Sequence, residues 1–219
     1  MKPAIIIHLK AVSTRLKKKN FRKILNKPLY KITFDKLKKY KTYFDIFIDS
    51  SSDTFKIEAD RYGYNFIKRP KRLDKSNAQG NELLIQCLQK IDNEIIFQLL
   101  VTNPFLKVST IKKCVNILKA KKSINSVTTV SDIYDRYWFK KKEINHKYNN
   151  LIGSQFLDPV QVEAGTYCFR KSIFLKEKSR ILKQNLFLKI DDIQAVDIDN
   201  EIDFLIAENI AKKYKKLII

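Results

Sequence analysis

Asp197 and Asp199 stand one residue apart in Asp197-Ile198-Asp199-Asn200-Glu201-Ile202-Asp203-Phe204, directly after an apolar run. On an extended chain side chains alternate, so the two carboxylates share a face. Carboxylates held side by side repel unless a cation sits between them, and Mg2+ (or Mn2+) favours hard oxygen ligands completed by water and phosphate. A helix dipole accounts for Glu201 and Asp203. It does not account for an aspartate ahead of the helix in a chain with 44 basic and 23 acidic residues. Asp197 and Asp199 are the expected metal ligands.

The other chemical stretch lies near the opposite end, where the first apolar run leads into Lys10-Ala11-Val12-Ser13-Thr14-Arg15-Leu16-Lys17-Lys18-Lys19-Asn20-Phe21-Arg22. This reads as a cationic loop at the carboxyl end of a parallel strand, where open α/β sheets bind ligands. Its backbone N–H groups and fixed cations suit a triphosphate and oppose negative charge that grows during group transfer. The glycines of a Walker loop are absent, so a P-loop is excluded. His8 falls inside the first strand and His146 in an irregular segment; both read as structural or exposed, which leaves no general base.

The elements that must position these groups alternate between short apolar runs and helix-period segments, the pattern of a wound α/β sheet. Strands are predicted over 4–9, 44–48, 95–101, 126–130, 166–169 and 195–198, and the almost wholly apolar 95–101 reads as a central strand covered on both faces. Helices are predicted around Leu29, Ile32, Thr33 and Leu37 behind Pro28, and around Leu84, Ile85, Leu88 and Ile91. Two more are predicted around Ile111, Val115 and Leu118 behind an N-cap at Ser109, and around Phe204, Ala207, Ile210 and Ala211. Residues 132–159, with Tyr134, Tyr137, Trp138 and Tyr148, break the rhythm as a long excursion.

With 219 residues, 44% of them hydrophobic, the chain suits a single domain, 1–219. Its formal charge of +21 attracts polyanions, but the lysines are spread along the whole sequence, so nucleic acid is not the expected partner. No run approaches a membrane span. Cys87, Cys114 and Cys168 are odd in number and widely spaced, as buried thiols of a cytoplasmic protein would be.

Several motifs, in order, resemble the acylneuraminate cytidylyltransferases. Lys10-x-x-Ser13-x-Arg15, Lys19-Asn20 and Asn26-Lys27-Pro28-Leu29 resemble the family's opening A-R-x-x-S-x-R-x-P-x-K-N followed by G-K-P-L. Ser13-Thr14-Arg15-Leu16 is also similar to the related ketodeoxyoctonate enzymes. Tyr62-Gly63 with Arg69-Pro70 resembles K-Y-G…R-P, and Leu99-Leu100-Val101-Thr102-Asn103-Pro104 resembles L-L-Q-P-T-S-P. Gln155-x-Leu157-x-Pro159-Val160 with Glu163-x-Gly165-x-Tyr167-x-Phe169 resembles Q-D-L-P-P-V…E-x-G-x-Y-x-F. The run from Asp197 to Phe204 is similar to the family's acidic motif.

The resemblance implies a Rossmann-like nucleotidyltransferase fold and transfer of CMP from CTP to the anomeric hydroxyl of a sialic-acid-like sugar acid, with release of pyrophosphate. It implies nucleotide contacts from Lys10, Ser13, Arg15, Lys19, Asn20, Arg69 and Asn81, and sugar contacts from Thr102, Asn103 and Gln155. It also implies catalysis by Arg15, Lys19 and Asp199, metal held by Asp197 and Asp199, and a homodimer formed through 132–159. Lys10 stands where the family has arginine, Asn26 where it has glycine and Leu100 where it has glutamine. Another keto sugar acid, or a nucleotide-binding homologue without turnover, are the alternatives.

Overall fold

The computed structural model describes residues 1–10, 13, 16–74 and 78–218. Seven strands form one sheet: β1 (Ala4–His8), β2 (Asp45–Ser50), β3 (Asn65–Lys68), β4 (Ile95–Leu99), β5 (Ser126–Ile133), β6 (Val160–Arg170) and β7 (Asn185–Lys189). Their order is β7-β5-β6-β4-β1-β2-β3. β1 runs parallel to β2 and β4, β3 parallel to β2, and β7 parallel to β5. Only β6 is inverted, antiparallel to both β4 and β5. The helices are α1 (Leu29–Leu37), α2 (Asp53–Tyr62), α3 (Gly80–Leu88), α4 (Val108–Ala120), α5 (Lys171–Glu177), α6 (Asp192–Ala195) and α7 (Glu201–Lys213). No helix among the described residues is long and apolar enough to cross a membrane.

The two faces of the sheet follow from strand alternation. Ile5 and Ile7 of β1 point to one side, into a core with Phe34 of α1 and Ile111 and Val115 of α4. Ala4 and Ile6 point to the other, against Leu84, Cys87 and Leu88 of α3 and Phe174 of α5. A run apolar at every position is what a strand sandwiched between two helical layers requires. A third cluster lies off the sheet, where Phe204, Ala207 and Ala211 of α7 pack on Leu16, Ile24, Leu29, Phe105 and Ile198. It brings the end of the chain against the segment that follows β1. All three cysteines are buried and free.

Three expectations need correction. Residues 195–198 are not a strand: Asp191 caps the short α6 by accepting from Gln194 N at 3.0 Å, and the chain then runs extended. It is tied to the end of β4 through Ile198 N donating to Thr102 O at 2.9 Å. Ser109 lies inside the first turn of α4, whose N-cap is Lys107. The irregular 132–159 is trimmed at its start, because β5 extends to Ile133. It also contains a small ribbon, Trp138–Phe139 with Lys142–Glu143. β3 and β7, the two edge strands, carry mixed polar and apolar residues and were not foreseen.

Where β1, β2 and β3 end, their last polar side chains form a buried charged spine. Arg69 donates from Nε to Asp49 Oδ2 at 2.8 Å and from Nη2 to Asp49 O at 2.9 Å. His8 Nδ1 meets Asp49 Oδ2 at 2.7 Å. Burial pushes the Asp49 carboxyl up, but the hydrogen bond and charge of His8 and the charge of Arg69 outweigh it and hold it below the ordinary range. Burial in turn pushes the His8 imidazole down, against the pull of Asp49. Removing one member of a fully buried pair leaves the other charge uncompensated. Asp49→Ala is therefore expected to cost roughly 3–5 kcal/mol in urea unfolding, against about 1 kcal/mol for an average substitution; a loss below about 1 kcal/mol would show that the spine is dispensable.

Candidate active site

The loop that leaves β1 and the segment that enters α7 meet at one cleft, although they lie at opposite ends of the sequence. The turn Lys19–Phe21 holds Asn20 buried, and its Nδ2 donates to Lys10 O at 2.7 Å, which pins the strand exit to the turn. Lys19 Nζ then reaches across to donate to Ile198 O at 2.8 Å and to Asp199 Oδ1 at 3.1 Å. Arg22 closes the same junction, with a two-pronged pair to Glu201 and its guanidinium 3.9 Å above the Phe204 ring. On the far side, the Asp203 carboxylate accepts from Asp199 N at 2.8 Å and Asn200 N at 2.9 Å, as part of a capping box that fixes where α7 begins. Asp203 is thus a structural cap.

Ile198 is fully buried, so its neighbours Asp197 and Asp199 turn the other way, and both line the cleft. The alternation expected of a strand is kept by an extended segment with a single ladder bond. The cleft has a volume of about 450 Å³. Lys10, Ser13, Lys19 and Asn20 form one wall, Arg69 and His8 another, and Leu100 and Thr102 the floor. The floor is the exit of β4 and the walls are the exits of β1 and β3, at the carboxyl ends of parallel strands.

The charges in this cleft are set by burial. Desolvation raises the Asp197 carboxyl above its ordinary value; the hydrogen bond from Thr102 and the charge of Lys19 oppose this, while Asp199 adds to it. Asp197 Oδ1 is buried and has no hydrogen-bond partner. Such an oxygen is costly unless a ligand completes it. Lys10 is pushed down by burial and by Arg69, against Asp74. An unpartnered carboxylate oxygen beside a second carboxylate is the donor set a hard divalent cation takes, and these residues fit Mg2+. The other grouping of potential ligands among the described residues, His8, Asp49 and Cys87, does not. Arg69 already occupies Asp49, and burial pushes the Cys87 thiol well above its ordinary value.

Of the expected site residues, Lys10, Ser13, Lys19, Asn20, Arg69, Thr102, Asp197 and Asp199 all line this cleft. Arg15 lies outside the described residues. Three others are placed elsewhere. Asn81, on α3, donates from Nδ2 to Lys178 O at 2.8 Å. Gln155 sits exposed in the turn Ser154–Phe156 of the excursion. Asn103 is buried behind the floor, donating from Nδ2 to Val196 O at 3.2 Å, with its Oδ1 unpartnered. It braces the segment that carries Asp197. Gly165 makes this packing possible: at φ +71° it marks a bulge in β6, and a side chain there would meet Asp197 Oδ2 at 3.2 Å and Asn103 Oδ1 at 3.3 Å. Asp74 and Leu83 also line the cleft and were missed, since neither type nor spacing marks them.

The sequence profile of the family described as Cytidylyltransferase matches residues 4–210. The N-acylneuraminate cytidylyltransferase of Escherichia coli O18:K1:H7 is 23% identical over 221 aligned residues, which cover 95% of this chain but only 52% of that protein. The chain thus spans about half the length of this curated relative. Among solved structures, a CMP:2-keto-3-deoxy-manno-octonic acid synthetase complexed with CTP superposes with a TM-score of 0.73 at 12% identity, over 97% of this chain and 99% of that one. The 4-diphosphocytidyl-2C-methyl-D-erythritol synthase of Anaerococcus prevotii gives a TM-score of 0.70 at 13% identity, over 96% and 98%. At these identities the two structures speak for the α/β fold alone. The profile, matched from β1 to α7 and embracing both halves of the cleft, makes the chain a member of the cytidylyltransferase family of nucleotidyltransferases.

Proposed function

We propose that the protein transfers CMP from CTP to the anomeric hydroxyl of a sialic-acid-like sugar acid, releasing pyrophosphate. One observation carries this reading: the Lys19 ammonium, Asp199 and Asp197, whose Oδ1 has no hydrogen-bond partner, share a single cleft at the exits of β1 and β4. In the reaction the hydroxyl oxygen bonds to the α-phosphorus as the bond to the α,β-bridging oxygen breaks; pyrophosphate leaves and the hydroxyl proton passes to solvent water. Lys10, Lys19 and Arg15 hold the triphosphate and offset charge developing on the departing pyrophosphate. Lys10, standing for an arginine, keeps the charge but gives up the two-pronged fork. Asp197 and Asp199 would hold Mg2+ (or Mn2+), which when bound would supply Lewis-acid polarisation of the phosphate. Thr102 hydrogen-bonds to the Asp197 carboxylate and lines the cleft, where it would meet the acceptor.

An eight-carbon keto sugar acid is the second reading of the acceptor. It is supported by Ser13-Thr14-Arg15-Leu16 and by the likeness to the octonic acid synthetase. Pyrophosphate release measured with CTP, Mg2+ and a panel of eight- and nine-carbon keto sugar acids is expected to single out one acceptor. Silence across the panel with CTP still bound would contradict the transferase reading in favour of a nucleotide-binding homologue.

We propose a homodimer formed through the excursion. Trp138 is 54% exposed, Phe139 64%, Tyr148 69% and Phe156 72%, an apolar surface that a second copy would cover. In such a homodimer Gln155 would reach the neighbour's acceptor. Light scattering is expected to give a dimer for the wild type and a monomer for Trp138→Glu/Phe139→Glu; a wild type that stays monomeric at working concentration would remove this part of the reading.

The metal reading has a readout apart from turnover. Asp197→Asn is expected to reduce turnover at least ~10³-fold. It also removes a desolvated charge, so the metal-free variant should melt no lower than the wild type. Mg2+ added to the CTP-bound protein should raise the melting temperature of the wild type by several degrees and add nothing in Asp197→Asn. Equal shifts in both proteins would take Asp197 out of the ligand set.

A further inference from the structure

His8 brings a buried lone pair to the wall of the cleft. Its Nδ1 lies 2.7 Å from Asp49 Oδ2, and the partners of Asp49 keep that carboxyl below its ordinary range. An ionised carboxylate can only accept, so Nδ1 carries the proton and donates. Burial opposes a second proton on the ring, which leaves Nε2 as a bare acceptor. Nε2 has no hydrogen-bond partner among the described residues, and the side chain is only 7% exposed. His8 lines the cleft whereas Asp49 does not, so the Nδ1 edge faces the sheet and the Nε2 edge faces the cleft. A buried acceptor without a partner is costly unless a bound donor completes it.

Position and chemistry together indicate the donor. A triphosphate offers only acceptor oxygens, so it cannot complete Nε2. Ile7 pairs with Leu99 and His8 with Asp49, which puts His8 beside Leu100, on the face that Ala4 and Ile6 turn toward α3. Asp197 belongs to the β6 side of the same cleft, its Oδ2 3.2 Å from where a side chain at Gly165 would begin. β4 lies between β1 and β6, so two strand spacings, roughly 10 Å, separate His8 from that place. A nucleoside reaches about as far from its 5′-phosphate to the outer edge of its base. Leu100 beside His8, with Ala78 and Leu83 at the start of α3, gives this part of the cleft an apolar lining. Such walls suit a flat ring better than a polyhydroxylated sugar.

We propose that His8 Nε2 accepts a hydrogen bond from the exocyclic 4-amino group of the cytosine ring and so selects CTP over UTP. Uracil carries a carbonyl oxygen at that place, which would set lone pair against lone pair. The inference rests on the reading above that CTP is the donor, with its α-phosphate at Asp197. It gives Asp49 a second task, because fixing the proton on Nδ1 keeps Nε2 an acceptor.

The test is equilibrium binding of CTP and of UTP to the full chain, with Mg2+ and without acceptor, which reads base choice apart from turnover. The wild type is expected to bind CTP at least ~30-fold more tightly than UTP. His8→Asn keeps a donor for Asp49 near the place of Nδ1 and removes the acceptor, and should cut that preference at least ~10-fold. His8→Gln, whose amide oxygen reaches the place of Nε2, should retain part of it. The ratio of the two affinities is insensitive to any loss of folded protein. A preference unchanged in His8→Asn overturns the proposal and leaves the transferase reading intact, and equal weakening of both nucleotides would then assign Nε2 to the ribose. A wild type that binds CTP and UTP equally also overturns the proposal alone. A wild type that binds neither nucleotide overturns both readings.

Discussion

A single ammonium group joins the two ends of this chain. Lys19 Nζ bonds to Ile198 O and Asp199 Oδ1, across almost the whole sequence, and sits only 15% exposed. The rest of the architecture serves that meeting. β1 and β4 must lie side by side in the sheet so that their exits open together. Asn20 must hold the loop after β1 against Lys10 O, and Asp203 must end the segment 196–199 at a fixed point by capping α7. Arg22, stacked on Phe204 and paired with Glu201, latches the junction from outside. A cleft assembled from the two termini exists only when the whole domain is folded.

The cleft is a place where stability is given up for function. In a chain of formal charge +21, Asp197 could easily have met a lysine, yet its Oδ1 is buried without a partner and its carboxyl is raised by desolvation. Asp49 shows the contrast: more deeply buried, it is satisfied by Arg69 and His8 and held below the ordinary range. One carboxylate is closed off by protein and the other keeps an unpartnered oxygen at the cleft. That difference distinguishes a structural charge from one kept for a ligand.

Much of this was legible in the sequence, for physical reasons. β1 and β4 are apolar at nearly every position because both faces are covered, and Asp197 and Asp199 flank Ile198, which the core demands. What was not legible lay where local pattern says little. The edge strands β3 and β7 carry polar residues, as exposed edges do. The extended 196–199 mimics a strand because its alternation serves a core and a cleft rather than a sheet. Gln155 matched a motif and Asn81 was implied by the resemblance, but side-chain placement depends on tertiary neighbours such as Lys178 O.

The convergence of the two termini on one nucleotide tail is tested most directly by a double-mutant cycle on kcat/KM for CTP, with Lys19→Met, Asp199→Asn and the combined variant. Because the two side chains touch each other and, on this reading, would meet the same triphosphate, the losses are expected to be strongly non-additive, with a coupling of about 1 kcal/mol or more. Losses that simply add, within about 0.3–0.5 kcal/mol, would mean that the two groups act independently and that the cleft is not a single site.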